Sequence, residues 1–302
     1  MSGPALRAPR SDAEVPAYLA AVGLPGLADV HVHFHPDRLT ERIWAYFDEG
    51  ERHYGVGWPI HYRTGAEERL RILAELGVRD VPALTYAHKP GMAAALNAWC
   101  GELADTHPQV LRCATLFPEE GVTGYVEEAV RAGVQLVKAH LVVSDMAPDD
   151  DRLDEAWELL ARARVPVVMH AGHGPREGRF SGPEGVVRLL ADHPDLTLVV
   201  AHLGMPDYDA FADLAEAHER VHLDTTMVGT DFMERLAPVP ARFLGRLAEL
   251  RPKVVLGSDF PNIPYPYAHQ LEALHRWGLG EEWLRDVLWH NGRRLLGLPV
   301  SP

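Results

Sequence analysis

Eight short apolar runs, each followed by a stretch of helical periodicity and spaced roughly 25 to 30 residues apart, constrain this chain more than any other feature. They cover 28–33, 80–86, 110–116, 134–139, 165–169, 196–201, 221–225 and 253–257. Val, Leu and Ile dominate them, as in strands buried on both faces of a parallel sheet. Between them, 67–76, 91–106, 124–132, 151–163, 183–192, 207–218 and 240–250 read as amphipathic helices. Pro183 and Pro240 punctuate first turns, and Gly77 and Gly133 follow last ones. Eight βα units close most economically as an α/β protein of the (β/α)8 TIM-barrel type. The alternative, an open doubly wound sheet, calls for a glycine-rich phosphate loop after the first strand, and the chain has none there.

The 302 residues, 47% of them hydrophobic, suffice for one large core. The expected organisation is an N-terminal extension over 1–26 and a single barrel domain over 27–302. The crossover after the first strand, 36–79, exceeds what one helix needs and holds Trp44, Tyr46, Phe47, Tyr54, Trp58, His61 and Tyr62. Such an extended loop at a strand's C-terminal end is expected over the barrel mouth as a lid or pocket wall, or else packed on the rim or a second subunit. The loop from Phe260 to Tyr267 belongs at the same mouth.

A formal charge of −14 opposes binding to nucleic-acid phosphates or anionic membranes, so a small-molecule substrate is expected. No signal-peptide stretch and no membrane-length apolar run occur, which points to a cytoplasmic location. Cys100 and Cys113 lack a CxxC spacing and are expected as reduced thiols. Lysine is rare: Lys89, Lys138 and Lys253 stand among 29 basic residues, the others being arginine.

Several of these strands end in metal-ligand side chains. Alternation in Asp29-Val30-His31-Val32-His33 puts Asp29, His31 and His33 on one side. His170 and His202 end the fifth and sixth runs, and Asp259 follows the eighth. Any one of the 17 histidines is more readily a core or loop residue, but together these positions predict a metal site. Imidazole plus carboxylate without thiolate suits Zn, with Mn, Fe or Co as alternatives.

At these residues the chain resembles the amidohydrolase superfamily, in its amidohydrolase-related branch, which includes hydrolases and decarboxylases of the aminocarboxymuconate-semialdehyde type. The motifs are DVHVH at Asp29–His33, VMHAG at Val168–Gly172, AHLG at Ala201–Gly204 and GSDFP at Gly257–Pro261. The resemblance implies that His31, His33, His170 and Asp259 bind a divalent metal. It implies Asp259 and His202 as catalytic groups, Asp259 moving a proton and His202 polarising the substrate or, with Lys138, holding a second metal. Lys138 would then be carbamylated; a single metal with an ordinary lysine is the first expectation. The implied reaction is hydrolysis of a small amide, lactone or ester-like bond by a metal-activated water, the alternative being nonoxidative decarboxylation of an aromatic or unsaturated acid. Likeness to the decarboxylases leaves a homodimer open. Tyr86, His88, Lys89, His140, His173 and Arg176, all near strand ends, are the expected substrate contacts, with Thr225 and Thr226 also within reach. His35 is read as a loop residue, and Asp29 as a brace for the strand or a ligand.

Overall fold

The computed structural model describes residues 6–300; residues 1–5 and 301–302, at the outer ends of the expected extension and barrel domain, lie outside the described residues. Strands β1 (Val81–Pro82), β2 (Val110–Leu111), β3 (Cys113–Thr115), β4 (Leu136–His140), β5 (Val167–His170), β6 (Leu198–Val200), β7 (Val221–Asp224) and β8 (Val254–Val255) follow in chain order. Every pairing is parallel: β1 with β2, and β3 through β8 in sequence. Strands β2 and β3 run on from each other across Arg112, which joins the two sheets covalently.

The first expected strand is not a ladder strand, and the reason is local. Segment 28–34 lies between β8 and β1, with Val30 N–H donating to Leu256 O at 2.9 Å and Phe34 N–H to Leu84 O at 3.1 Å. On the β8 side His31 O accepts from Asp259 N–H (2.9 Å), and His33 N–H donates to Phe260 O (2.7 Å). Residues 30 and 31 therefore both bond toward β8 where a regular strand would alternate, which makes a bulge. The His31 N–H freed by the bulge goes to Asp29 Oδ1 at 3.0 Å. The single parallel bridges Val32 to Phe260 and His33 to Leu84 complete the ring of eight segments as the expected (β/α)8 barrel.

The seven expected helices are present as Ala66–Glu75, Ala93–Thr106, Val122–Arg131, Asp154–Ala163, Pro183–Asp192, Tyr208–Ala217 and Phe243–Glu249. Further helices were not anticipated. Val15–Val22 buries Val15, Tyr18, Leu19 and Val22, a helical spacing, and ends at Gly23 with φ of 82°. Asp37–Asp48 and Gly50–Tyr54 fill the long crossover. No helix among the described residues is long and apolar enough to cross a membrane. Cys100 and Cys113 are free and buried.

His222 of β7 pairs in register with Val199, and its Nδ1 is buried without a partner. Burial, helped by Lys253, pushes its pKa down to about 4. The unfolded chain binds that proton at higher pH, so the neutral ring's contribution is complete above about pH 6.5 and is lost as pH falls toward 4. Urea unfolding of wild type and His222→Gln at pH 7.5 and 4.5 should show the variant losing less stability on acidification, by up to about 3 kcal/mol. Equal losses would remove His222 from the acid sensitivity.

Candidate metal centre

Two sharp turns aim the key side chains. Asp259 takes a left-handed backbone with φ of 68°, held by its N–H to His31 O and by its carbonyl, which accepts from Asn262 N–H at 2.8 Å. His202, Leu203 and Gly204 are left-handed in succession, with φ of 57°, 53° and 73°. Two non-glycine residues in that region cost roughly 1–3 kcal/mol each, a cost found where the surrounding structure fixes a functional geometry. Asp224 supplies that fixation: its Oδ1 accepts the backbone N–H of His202 (2.9 Å) and of Thr226 (3.0 Å). Gly257 lies so close to His31 that an added Cβ would collide with Thr226 Oγ1 and come within 2.9 Å of His31 Cβ.

His31, His33 and Asp259 each offer one ligand atom, and these atoms lie within 4.8 Å of one another. For His31 the other ring nitrogen fixes the tautomer. His31 Nδ1–H donates to Asp224 Oδ2 at 2.8 Å, and the Thr226 hydroxyl lies 3.0 Å from the same nitrogen. His33 Nδ1–H donates to Leu84 O at 3.3 Å. His31 Nε2 is thus left with a lone pair, whereas His33 Nε2 has its shorter contact to a carboxylate and gives Asp259 a proton unless a cation takes that proton's place. His33 Nε2 is 2.9 Å from Asp259 Oδ1, and His31 Nε2 is 3.4 Å from the same oxygen. Facing acceptors in a buried site demand a proton or a cation, so the donor set fits a divalent ion. The fully buried Lys138 ammonium meets part of that demand with Nζ 2.9 Å from His31 Nε2.

Electrostatics agree with this geometry. Burial alone would raise Asp259, but its bond to His33 and the nearby His31 and His202 hold it well below the ordinary carboxylate range. Asp224 is likewise depressed against its burial, chiefly by His31. Burial lowers Lys138 to about 8 despite Asp259 and Asp224. Asp29 moves the other way, raised by burial to about 7 while it accepts His31 N–H and the Tyr267 hydroxyl at 2.8 Å. It braces the bulge and does not line the cavity.

His170 shares the cavity but not the three-residue group; its Nε2–H donates to Gly174 O at 3.1 Å. His202 Nδ1–H donates to Thr226 O at 3.0 Å, which leaves Nε2 as an acceptor. Burial lowers its pKa to about 4, so the ring is neutral. A neutral imidazole presenting a lone pair accepts a proton or binds a cation, which matches the second-metal side of the expectation for His202 more than the polarising one.

The centre forms the floor of a cavity of about 550 Å3. Of the expected substrate contacts, Tyr86, His88, His140 and Arg176 line it. Lys89 points to solvent, and His173 is turned away to Asp207, Nδ1 to Oδ2 at 2.7 Å. Thr225 and Thr226 are fully buried behind the wall, and His35 stacks against the back of His33 with ring centres 5.8 Å apart. The roof is the helix Asp37–Asp48, whose Leu39, Ile43 and Phe47 face the cavity at four-residue spacing. Asn262 ties the roof down, taking Trp58 Nε1–H on its backbone O (2.8 Å) and Trp44 Nε1–H on its side chain (3.3 Å). The crossover 36–79 thus lies over the mouth as a pocket wall, as expected, although its helical form and the individual roles of Asp224, Asn262 and Arg42 were not picked out from the sequence. Asp224 had a signal, an acid ending a strand just before Thr225 and Thr226.

The profile of the amidohydrolase family matches residues 28–298, and the chain belongs to that family. Solved structures share the fold. A TIM-barrel protein from Bordetella bronchiseptica has 19% identity and a TM-score of 0.69, covering 88% of this chain and 97% of its own. A probable 2-pyrone-4,6-dicarboxylic acid hydrolase from Acinetobacter baumannii with bound citric acid has 14% identity and a TM-score of 0.60, covering 89% and 98%. A 5-carboxyvanillate decarboxylase from Novosphingobium aromaticivorans, complexed with manganese and a nitrobenzoic acid, has 14% identity and a TM-score of 0.60, covering 91% and 97%. No curated protein matches the sequence.

Asp224→Asn replaces the acceptor for His31 Nδ1–H with an amide that competes for the same position. Zinc affinity, measured by chelator competition on the folded variant, should fall about 10- to 100-fold. Unchanged affinity would mean that Asp224 does not set the tautomer of His31.

Proposed function

We propose that this protein is a metal-dependent hydrolase acting on a small, carboxylate-bearing substrate with a lactone, amide or ester-like bond. The observation that supports this most is the convergence of His31 Nε2, His33 Nε2 and the Asp259 carboxylate in the largely apolar cavity that they help to line. His31, His33 and Asp259 would hold the ion, with His170 beside them; zinc suits the donors, and Mn, Fe or Co are alternatives. A divalent cation there supplies Lewis acidity, polarising a carbonyl and making water acidic enough to react near neutral pH.

The chain's own groups do the rest. Asp259, with Oδ1 engaged by His33, keeps Oδ2 to receive a proton from the attacking water and return it to the leaving group. The neutral His202 offers Nε2 as a neighbouring acceptor. Lys138 adds positive charge beside the site where negative charge develops. Arg42 and Arg176 line the outer wall, neither forming an ion pair among the described residues, and suit a carboxylate on the substrate.

A second reading, nonoxidative decarboxylation of an aromatic acid, is favoured by the packed rings of Phe47, Tyr54 and Trp58 in the same wall. A flat substrate ring would fit against them. The deciding experiment measures metal content on the purified protein and then screens carboxylated lactones, amides and aromatic acids with the metal bound and removed. The expected result is hydrolysis that chelation abolishes and that Asp259→Asn lowers at least about 100-fold. Carbon dioxide release alone would select the second reading, and turnover indifferent to complete chelation would overturn both.

A further inference from the structure

We propose that His140 is the hydrogen-bond donor that holds the substrate's acceptor oxygen, a carbonyl or carboxylate, with the Tyr86 hydroxyl as a second donor beside it. This rests on reading the cavity as an active site for carboxylate-bearing substrates. The argument is one of tautomers. Around the cavity, His31 and His202 each spend Nδ1–H on a carboxylate or carbonyl oxygen and present Nε2 as a lone pair, and His33 Nε2 is taken up by Asp259 Oδ1 at 2.9 Å. His170 spends Nε2–H on Gly174 O and keeps its lone pair on Nδ1. None of these four imidazoles has a free N–H to offer a substrate oxygen.

His140 is set the opposite way. It caps the short helix Leu141–Ser144, and its Nδ1 accepts the backbone N–H of Val143 at 3.4 Å. In the neutral ring the proton then belongs on Nε2, which has no partner among the described residues, and His140 lines the cavity. The ring cannot swing freely. Parallel register places His140 beside His170, and the two rings stack with centres 4.2 Å apart. Tyr86 meets His140 edge-on at 5.2 Å, and its hydroxyl likewise has no partner among the described residues. Two fixed donors with nothing to donate to, beside a cluster of acceptors, form a site for an oxygen that must lie near the cation's position.

Two measurements test this. On uniformly 15N-histidine-labelled protein, the long-range 1H–15N spectrum should show His140 as a neutral ring protonated on Nε2; an Nδ1–H tautomer or an imidazolium would overturn the proposal. Benzoate, used as a minimal flat carboxylate, is then titrated calorimetrically into zinc-loaded wild type, His140→Phe and Tyr86→Phe. His140→Phe keeps the stack and deletes the donor, so its benzoate affinity should drop about 10-fold while zinc affinity is unchanged. Tyr86→Phe should lose about 3- to 10-fold. Benzoate affinity in His140→Phe within twofold of wild type, or no benzoate binding to wild type, would overturn the proposal. A failure of the hydrolase reading shows separately, as absent turnover in the substrate screen with the tautomer and benzoate results intact.

Discussion

The structure turns on a buried convergence of like groups: imidazole lone pairs and a carboxylate directed at one point where water is scarce. Such an arrangement is costly unless something positive stands at its centre. The strained turns at His202 and Asp259, the bulge at Val30–His31 and the Lys138 ammonium all make sense as parts of this convergence. Each positions an electron-rich atom toward the common point or offsets the electrostatic cost of its being there.

Asp224 is the pivot of the supporting layer. One oxygen fixes the tautomer of His31, and the other takes the backbone N–H groups that hold the turns at His202 and Thr226. A single carboxylate therefore couples the first segment of the barrel to its sixth and seventh strands. The barrel makes this economical, since residues remote in sequence meet at the C-terminal ends of parallel strands. The roof helix and the loop bearing Asn262 then cover part of the space above the centre.

Much of this was legible in the sequence, and the limits have physical causes. Strand-length apolar runs ending in His or Asp identify the barrel and bring His31, His33 and Asp259 together, because both features follow from periodicity. The bulge was not legible, since it depends on which neighbour each N–H meets and not on residue pattern. The roof helix has a readable spacing in Leu39, Ile43 and Phe47, but its apolar face covers a cavity where a core would be assumed. The direction in which His140 and His202 present their protons has no sequence signal at all. It is decided by Val143 N–H and Thr226 O, backbone groups that the sequence does not distinguish from any others.

The most direct test of the central claim is anomalous diffraction at the zinc edge from crystals of the zinc-loaded protein. The account predicts one strong peak within about 2.0–2.2 Å of His31 Nε2, His33 Nε2 and an Asp259 oxygen. A zinc peak elsewhere in the molecule, with those three side chains free of metal, would contradict it.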